Sequence, residues 1–395
     1  MIRRKHVAPN FFGEAEAMRD ALDVRFKDVY TRTIRWQYFC DPLKYAYLRT
    51  EPRGVFPKSV FDHFMECLRL WCTENLGLVP VGIPLLHLMV NGCRLGLHSD
   101  FHNGAWGYVY SLTRWQNRRF SGGETLLLRD GTPSYKKHHA HGDVLYELIP
   151  AHFNQLLVFD DRIVHATPTI EGSMDPIEGR IALVGHIRAT SPVISGNLDW
   201  TQACKVVSGL LSQVRDRIRN YKDVQGTVTY RLTIAATGTV EAITILTDNV
   251  VTPVTGYDHS DAVLAVKALI QRELGALRFP AVGGKSSLTL PLLIPIPDLQ
   301  PIKVVVQHHS TRDAICEWIT TRLAEGDRLE LRGTLVGETV HLKEPLAGTI
   351  RIEPGEIVAS FDPPMWVPSQ REQFQTALTE WMKTAAGAGA QPVTQ

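Results

Sequence analysis

The sequence predicts a multidomain protein, with a β-rich first half flanked by helices and a second half made of two small α+β domains. The chain has 395 residues, more than one ordinary domain holds. Apolar strand-like runs separated by turn-formers fill the region from residue 85 to 190, and mixed helix and strand patterns follow a turn-rich linker at residues 189–199. We therefore expect domains at residues 1–190, 200–296 and 302–385.

The composition is that of a soluble globular protein. Apolar residues make up 44% of the chain and charged residues 21%. The net charge of +1 creates no field that would attract nucleic acid or a membrane surface, and no apolar run is long enough to span a bilayer. The six cysteines form no C-x-x-C pair, and the basic N-terminus lacks the apolar run of a signal peptide. We therefore expect a cytoplasmic protein with free thiols.

Two amphipathic helices are predicted ahead of the strands, at residues 14–26 and from Pro57 to Gly77. Their apolar residues recur every three or four positions, so both are expected to pack on the outside of the β-rich domain. The intervening segment, residues 40–56, carries several tyrosines and arginines and is expected to be a loop. Two interpretations stay open for it, a cover over a substrate and simple loop packing.

The strands of the first domain follow from apolar runs and turn signals. They are predicted at residues 85–90, 108–113, 121–128, 156–159 and 179–187, with a further strand that carries His98. Asn91-Gly92 is a strong hairpin signal, and Ser121-Gly122-Gly123 supplies the turn that re-enters the sheet.

Two histidines and a carboxylate form the candidate metal site. His98 and Asp100 are two positions apart on a strand, so their side chains point to the same face. His165 follows a distant apolar strand and must fold back beside them. Two histidines and one carboxylate leave half of an octahedral metal site open, as in non-haem Fe(II) oxygenases. An isolated histidine more often has a structural role than binds a metal, but three candidate ligands that follow one another in the expected order beside strands favour a metal site.

This order of motifs resembles that of the Fe(II)- and 2-oxoglutarate-dependent dioxygenases, in particular the prolyl-hydroxylase-like branch, over residues 1–190. The resemblance implies a double-stranded β-helix, a jelly-roll or cupin-like fold, of about eight strands. It implies His98, Asp100 and His165 as iron ligands and Arg180 as the partner of the far carboxylate of 2-oxoglutarate. It also implies O2 as co-substrate and ascorbate as an activator. The halogenases of this family lack the carboxylate ligand that corresponds to Asp100, so the presence of Asp100 favours hydroxylation.

Arg180 suits a carboxylate because a planar guanidinium can form two parallel hydrogen bonds with it. A hydroxyl from Tyr110 or Ser111 is expected to assist, but neighbouring residues on a strand face opposite ways, and which one points inward stays open. Arg188 is the rival arginine, at the other end of the same strand and expected to reach solvent.

Other polar clusters have two interpretations each. The histidine-rich stretch at residues 136–141 suggests a second metal cluster, but a solvated loop near the entrance is the expected structure. An arginine group with nearby tryptophans suits either an acidic substrate or a solvated surface, and its members are Arg114, Arg118, Arg119, Trp106 and Trp115.

Residues 200–296 follow a helix, hairpin, helix and strand order with a "GTV" turn and an "LRFPA" ending. This order resembles the C-terminal domain of TonB-type energy transducers. We expect no membrane anchor and therefore no energy transduction, which leaves protein contact, self-association or a purely structural role. The sequence at Gly283-Gly284-Lys285-Ser286 is similar to a P-loop, but Phe279 stands where glycine is needed and a strand is predicted to follow. Residues 302–385 carry no catalytic motif.

The expected function is hydroxylation of an unactivated C–H bond by an Fe(II)- and 2-oxoglutarate-dependent oxygenase, with release of succinate and CO2. The substrate class stays open between an amino acid, a peptide, a protein side chain and a small natural product. The alternative is a non-catalytic iron- and 2-oxoglutarate-binding scaffold or sensor that acts through the C-terminal domains. A protein partner or self-association through those domains is expected, and neither nucleic acid nor a membrane.

Overall fold

The computed structural model describes most of the chain, namely residues 4–27, 34–100, 103–128, 145–188, 192–252, 261–297, 301–326, 329, 331–344, 348–361 and 368–387. Contacts divide it into one unit of Met1–Arg188 with Thr247–Ser260 and another of Ala189–Leu246 with Asp261–Gln395. The three domain limits expected from the sequence are not tested by this division and stay a prediction. The described helices include none that is both long and apolar enough to cross a membrane.

The first unit has two helices, α1 (Ala15–Lys27) and α2 (Lys58–Asn75), close to the predicted limits. Its strands are β1 (Lys5–Ala8), β2 (Gln37–Asp41), β3 (Tyr45–Thr50), β4 (Val79–Met89), β5 (Arg94–His98), β6 (Trp106–Ser111), β7 (Phe120–Ser121), β8 (Thr125–Leu128), β9 (Tyr146–Ile149), β10 (Gln155–Asp160), β11 (His165–Thr167), β12 (Glu171–Gly172) and β13 (Arg180–Arg188).

Eleven of these strands form one antiparallel sheet in the order β1-β10-β6-β13-β4-β3-β5-β11-β8-β9, with β2 paired to β3. The sheet is curled. Arg180 on β13 donates from Nε to the carbonyl oxygen of Gly123, just before β8, over 2.7 Å. Four strands lie between β13 and β8 in the sheet order, so a flat sheet would separate them by roughly 24 Å. The curled antiparallel sheet expected for a double-stranded β-helix is therefore confirmed, with eleven strands where about eight were expected.

The two helices present apolar faces to this sheet. Phe64 of α2 is fully buried, and its ring lies 4.7 Å from that of Tyr110 on β6. In α1, Met18 and Leu22 are buried as predicted. Arg19 is buried too, because its guanidinium donates to Asp23 and to the carbonyl oxygen of Leu112.

The segment predicted as a loop at residues 40–56 is largely a hairpin, and the loop prediction was wrong there. β2 and β3 pair in register from Gln37↔Arg49 to Asp41↔Tyr45. β3 also pairs with both β4 and β5, so it belongs to the curled sheet. Its alternating residues Tyr45, Tyr47 and Arg49 consequently face the interior of the sheet.

Two glycines make the turn between β7 and β8. Gly122 and Gly123 have φ values of +76° and +81°, which only glycine adopts readily. A Cβ on Gly122 would lie 2.0 Å from the carbonyl oxygen of Thr169. The predicted Ser-Gly-Gly turn is confirmed, and it is what brings the Gly123 carbonyl to Arg180.

The second unit begins with a four-stranded sheet in the order β14-β17-β15-β16. Its elements are β14 (Val193–Ser195), α3 (Trp200–Ile218), β15 (Gly226–Ile234), β16 (Val240–Asp248), α4 (Asp261–Gly275) and β17 (Ser286–Ile294). The helix, hairpin, helix and strand order is as predicted. The linker expected at 189–199 includes a strand, since Val193 pairs with Thr289. Ser286 starts a strand, which agrees with the rejection of a P-loop.

A five-stranded sheet in the order β18-β22-β21-β20-β19 follows. Its elements are β18 (Ile302–Gln307), α5 (Arg312–Glu325), β19 (Arg332–Val336), β20 (Thr339–Glu344), β21 (Gly348–Glu353), β22 (Glu356–Phe361) and α6 (Pro368–Ala386). Ile315 and Ile319 of α5 and Leu378 of α6 belong to the same buried cluster as the sheet's inner face. The predicted α+β piece is confirmed. The histidine-rich stretch 136–141 lies outside the described residues.

Candidate functional site

His98 and His165 meet across a strand pair. β11 pairs with β5 so that His165 lies opposite His98, and their ring centroids are 4.3 Å apart. In each ring Nδ1 faces a backbone carbonyl, that of Gly96 at 2.7 Å and that of Ile163 at 2.9 Å. A carbonyl only accepts, so Nδ1 carries the hydrogen and donates it. Nε2 is therefore the atom of each ring that can bind a metal, once it carries no proton.

Asp100 completes the group. Its Oδ2 lies 3.6 Å from Nε2 of His98 and 3.5 Å from Nε2 of His165. Burial opposes the charge on Asp100, but the two neighbouring imidazoles of His165 and His98 outweigh it and hold the pKa of the carboxyl well below its usual range. For His98, burial alone would lower the pKa, whereas Asp100 and the Gly96 carbonyl raise it overall. Asp100 is therefore ionised at neutral pH, as a metal ligand must be.

The donor set fits a divalent metal ion. One ligand atom from each of His98, Asp100 and His165 (the triad) lies within 4.8 Å of the other two. Two imidazole nitrogens and one carboxylate oxygen on one side match the ligand types of an open, three-ligand Fe(II) site. The structure therefore brings together the three residues predicted as ligands from the sequence.

Arg180 lines the same cavity as the triad. The volume of this cavity is about 440 Å³. Arg180 is 2% exposed, and burial lowers the pKa of its guanidinium to about 10, so the group stays charged at neutral pH. Its other nearby group is the sulfur of Met89, 3.7 Å from Nη1. Among the described residues no carboxylate forms an ion pair with it. The charge of Glu124 acts on Arg180 without forming an ion pair, and a buried guanidinium without an ion-paired carboxylate suits an anionic ligand.

The two hydroxyls expected to assist Arg180 are engaged elsewhere. Tyr110 points to the helix side of the sheet and its hydroxyl donates to Oδ1 of Asn154 over 3.0 Å. Ser111 is on the inward face of β6, but its hydroxyl donates to the carbonyl oxygen of Ala151 over 2.8 Å. Neither residue lines the cavity. The structure does not bring either hydroxyl to Arg180.

The other arginines considered from the sequence are also occupied by partners within the protein. Arg188 donates from Nε to the Asn103 carbonyl oxygen over 2.6 Å. Arg114 lies 3.5 Å from a carboxylate oxygen of Asp23, and Arg118 stacks 3.9 Å over the ring of Trp115. None of these arginines lines the cavity.

Several lining residues were missed in the sequence. His87 on β4 is 7% exposed, its Nε2 has no hydrogen-bond partner, and its ring lies 4.5 Å from that of Tyr47. A buried nitrogen without a partner costs about 1–3 kcal/mol. Burial, with the charges of Arg180 and Arg49, lowers the pKa of His87 to about 3. Only the alternation of β4, with Leu86 and Leu88 in the core, could have indicated that His87 faces inward.

A buried acid lies beside the triad. Asp161 is fully buried, and its Oδ2 accepts a hydrogen bond from Nδ1 of His186 over 2.9 Å. Burial raises the pKa of Asp161 to about 6. A Cβ on Gly107 would lie 2.4 Å from its Oδ1, so this glycine makes room for the carboxylate. His186 and Asp161 both line the cavity, so the triad is bordered by a further histidine and carboxylate pair.

No protein-family model matches the chain, and no curated protein matches it. Among solved structures it is similar to three oxygenases, each over a little under half of its length. They are a prolyl-4-hydroxylase from Pseudomonas putida (15% identity, TM-score 0.33, 47% of this chain and 92% of that one), a prolyl hydroxylase from Trichoplax adhaerens in complex with a hypoxia inducible factor peptide (14%, 0.32, 46% and 81%) and a 2OG-Fe(II) family oxidoreductase from Burkholderia pseudomallei (13%, 0.32, 46% and 83%). Because these identities and TM-scores are low, the geometry of the site has to carry any functional conclusion.

Proposed function

We propose that this protein is an Fe(II)- and 2-oxoglutarate-dependent oxygenase. The observation that carries the proposal is the joint presence of the triad and the buried, charged Arg180 on the wall of one cavity. The triad offers Fe(II) three ligands on one side, and Arg180 offers a dicarboxylate an anchor at a distance from them. A structural role would not require a buried guanidinium without a protein carboxylate.

His98, Asp100 and His165 would hold the metal, and the two Nδ1 hydrogen bonds fix the histidine rings in the ligating tautomer. Arg180 would receive the far carboxylate of 2-oxoglutarate, leaving the 2-oxo end of the molecule to face the metal. Bound Fe(II) would activate O2, which is the oxidant of the reaction. In the balanced reaction, 2-oxoglutarate, O2 and a substrate C–H bond give succinate, CO2 and the corresponding alcohol.

The protein's own contribution is to position these groups and to limit water. Aromatic side chains from the β2–β3 hairpin and apolar side chains from β4 line the cavity, namely Phe39, Tyr45, Tyr47, Val81, Ile83 and Leu85. Such walls strengthen the charge interactions inside the cavity and exclude stray solvent. The substrate is proposed to be an amino acid, a peptide, a protein side chain or a small natural product. The C-terminal domains are proposed to contact a partner protein or a second copy of the chain, in the cytoplasm.

Substrate-independent turnover tests the proposal. The Fe(II)-loaded protein should convert 2-oxoglutarate slowly to succinate in the presence of O2, with ascorbate sustaining the activity. Succinate is measured by mass spectrometry, and protein lacking the Asp100 carboxylate (Asp100→Ala) serves as the control. Binding of both iron and 2-oxoglutarate without any succinate would instead support the scaffold or sensor function. Failure to bind either one would refute both functions.

A further inference from the structure

His87 is a histidine on the cavity wall whose position no structural role explains. It is 7% exposed and its Nε2 has no partner, although buried polar atoms are almost always hydrogen-bonded. Its one close neighbour of defined geometry is the ring of Tyr47, which is a packing contact and not a hydrogen bond. An imidazole left without a polar partner on a cavity wall is available to a ligand.

The sheet places His87 next to Arg180. On the β13–β4 ladder Arg180 lies opposite Met89 and Ala182 lies opposite His87. Positions two apart on a strand share a face, so Arg180 and His87 are diagonal neighbours on the inner face, within reach of long side chains. On the β13 side the residue opposite His87 is Ala182, whose side chain is small, and on the β3 side it is Arg49, which also lines the cavity.

The charge state of His87 suits hydrogen bonding to an anion. Burial and the two nearby guanidinium groups keep the pKa of His87 far below neutrality, so the ring is neutral and carries one N–H. Half a turn of the ring about Cβ–Cγ exchanges each nitrogen with a ring carbon, so the nitrogens can be placed on either side of the ring. A neutral N–H beside a charged arginine gives a carboxylate a second donor without adding a second buried charge.

No hydroxyl considered from the sequence takes this place. Tyr110 and Ser111 donate to Asn154 and to the Ala151 carbonyl, as described for the site. Ser111 does lie in the same cross-strand row as His87, since it pairs with Ala182, which pairs with His87. In this row the Ser111 hydroxyl on β6 already has a hydrogen-bond partner, whereas Nε2 of His87 on β4 has none.

We propose that His87 donates a hydrogen bond to the far carboxylate of the 2-oxo acid, together with Arg180, and so makes the cavity selective for dicarboxylates over monocarboxylates. This inference rests on the proposed function, because it assigns a residue to the 2-oxoglutarate site. His87 is then a specificity-determining residue that touches the co-substrate and not the metal.

The test compares two 2-oxo acids on the full-length protein loaded with Mn(II), which binds similar ligands. Anaerobic calorimetry gives Kd for 2-oxoglutarate and for pyruvate, which lacks the far carboxylate. His87→Leu should weaken 2-oxoglutarate binding about 10- to 100-fold, the contribution of one hydrogen bond to a charged group, and leave pyruvate binding unchanged. His87→Gln, which keeps an N–H donor, should recover part of the loss. His63→Leu, on the exposed face of α2, is the matched control and should change neither Kd.

The outcomes separate the inference from the function it rests on. If the parent protein binds 2-oxoglutarate and His87→Leu binds it equally well, the assignment of His87 is wrong. An equal loss for both acids would also overturn it, because the imidazole would then support the cavity and not the carboxylate. If the parent protein binds neither acid, the proposed function itself fails.

Discussion

Replacing Arg180 with methionine tests the anion end of the cavity, which is the part beside Arg180 that is proposed to bind the far carboxylate of 2-oxoglutarate. Methionine is long and apolar, so it removes the charge while filling much of the space that the 2%-exposed side chain occupies. Two hydrogen bonds from a guanidinium to a carboxylate are lost. With about 1.5 kcal/mol for each bond, binding of 2-oxoglutarate should weaken by about 3 kcal/mol, or about 150-fold.

The same substitution has a predictable structural cost. The Nε hydrogen bond to the Gly123 carbonyl disappears, and leaving that buried oxygen unpaired costs about 1–3 kcal/mol of folding stability. Thermal unfolding should report this loss. Fe(II) affinity should stay within a few-fold of the parent value, because the triad is untouched.

The assay is the concentration of 2-oxoglutarate that gives half-maximal succinate release, measured at saturating Fe(II) and O2. Arg188→Met is the matched control, since Arg188 lies on the same strand, donates to the Asn103 carbonyl and does not itself line the cavity. An unchanged requirement in Arg180→Met, together with a raised requirement in Arg188→Met, would refute the assignment and transfer the anion site to Arg188.

Three further predictions concern the metal, the buried histidine and the carboxylate beside the triad. Alanine at any triad position should abolish one-to-one Fe(II) binding in anaerobic titrations while the circular dichroism spectrum is kept, and parent-like binding in all three variants would disprove the site. Burial, with the charges of Arg180 and Arg49 and against that of Asp100, lowers the pKa of His87 to about 3. The folded protein therefore resists protonation of His87 and loses stability as pH falls below about 6.5. Acidification from pH 7 to pH 5 should cost the parent about 2 kcal/mol more than His87→Leu in urea unfolding, and equal losses would contradict the burial of a neutral ring. Gly107→Ala should destabilise the fold by about 1–3 kcal/mol, because the new Cβ would lie 2.4 Å from Oδ1 of Asp161. Gly13→Ala is the control and should leave the stability unchanged, because no atom lies within 4 Å of its new Cβ. An unchanged stability in Gly107→Ala would show that the Asp161 carboxylate moves aside freely.

The triad could be predicted from the sequence because its signals are local. The spacing of His98 and Asp100 places both side chains on the same face of a strand, and the apolar strand before His165 locates the third ligand in the sequence. Both facts need only a few neighbouring residues. Their meeting in space needed the whole curled sheet, which only the order of the motifs suggested.

The roles of His87 and of the two hydroxyls could not be predicted, because they depend on pairing between distant strands. His87 reaches Arg180 through the β13–β4 register, which joins residues more than ninety positions apart. Ser111 faces inward as alternation allows, yet its hydroxyl is taken by Ala151 from a separate part of the chain. The β2–β3 hairpin was missed for a related reason. Its aromatic residues suit a strand, but its partners β4 and β5 lie far along the sequence.

Strand β13 connects the two ends of the cavity. It starts with Arg180 at the anion end and reaches His186, which bonds to Asp161 beside the triad. Both side chains line the same cavity. A register slip of one residue would turn Arg180 away from the cavity, so pairing with β4 and β6 on both sides holds it in place.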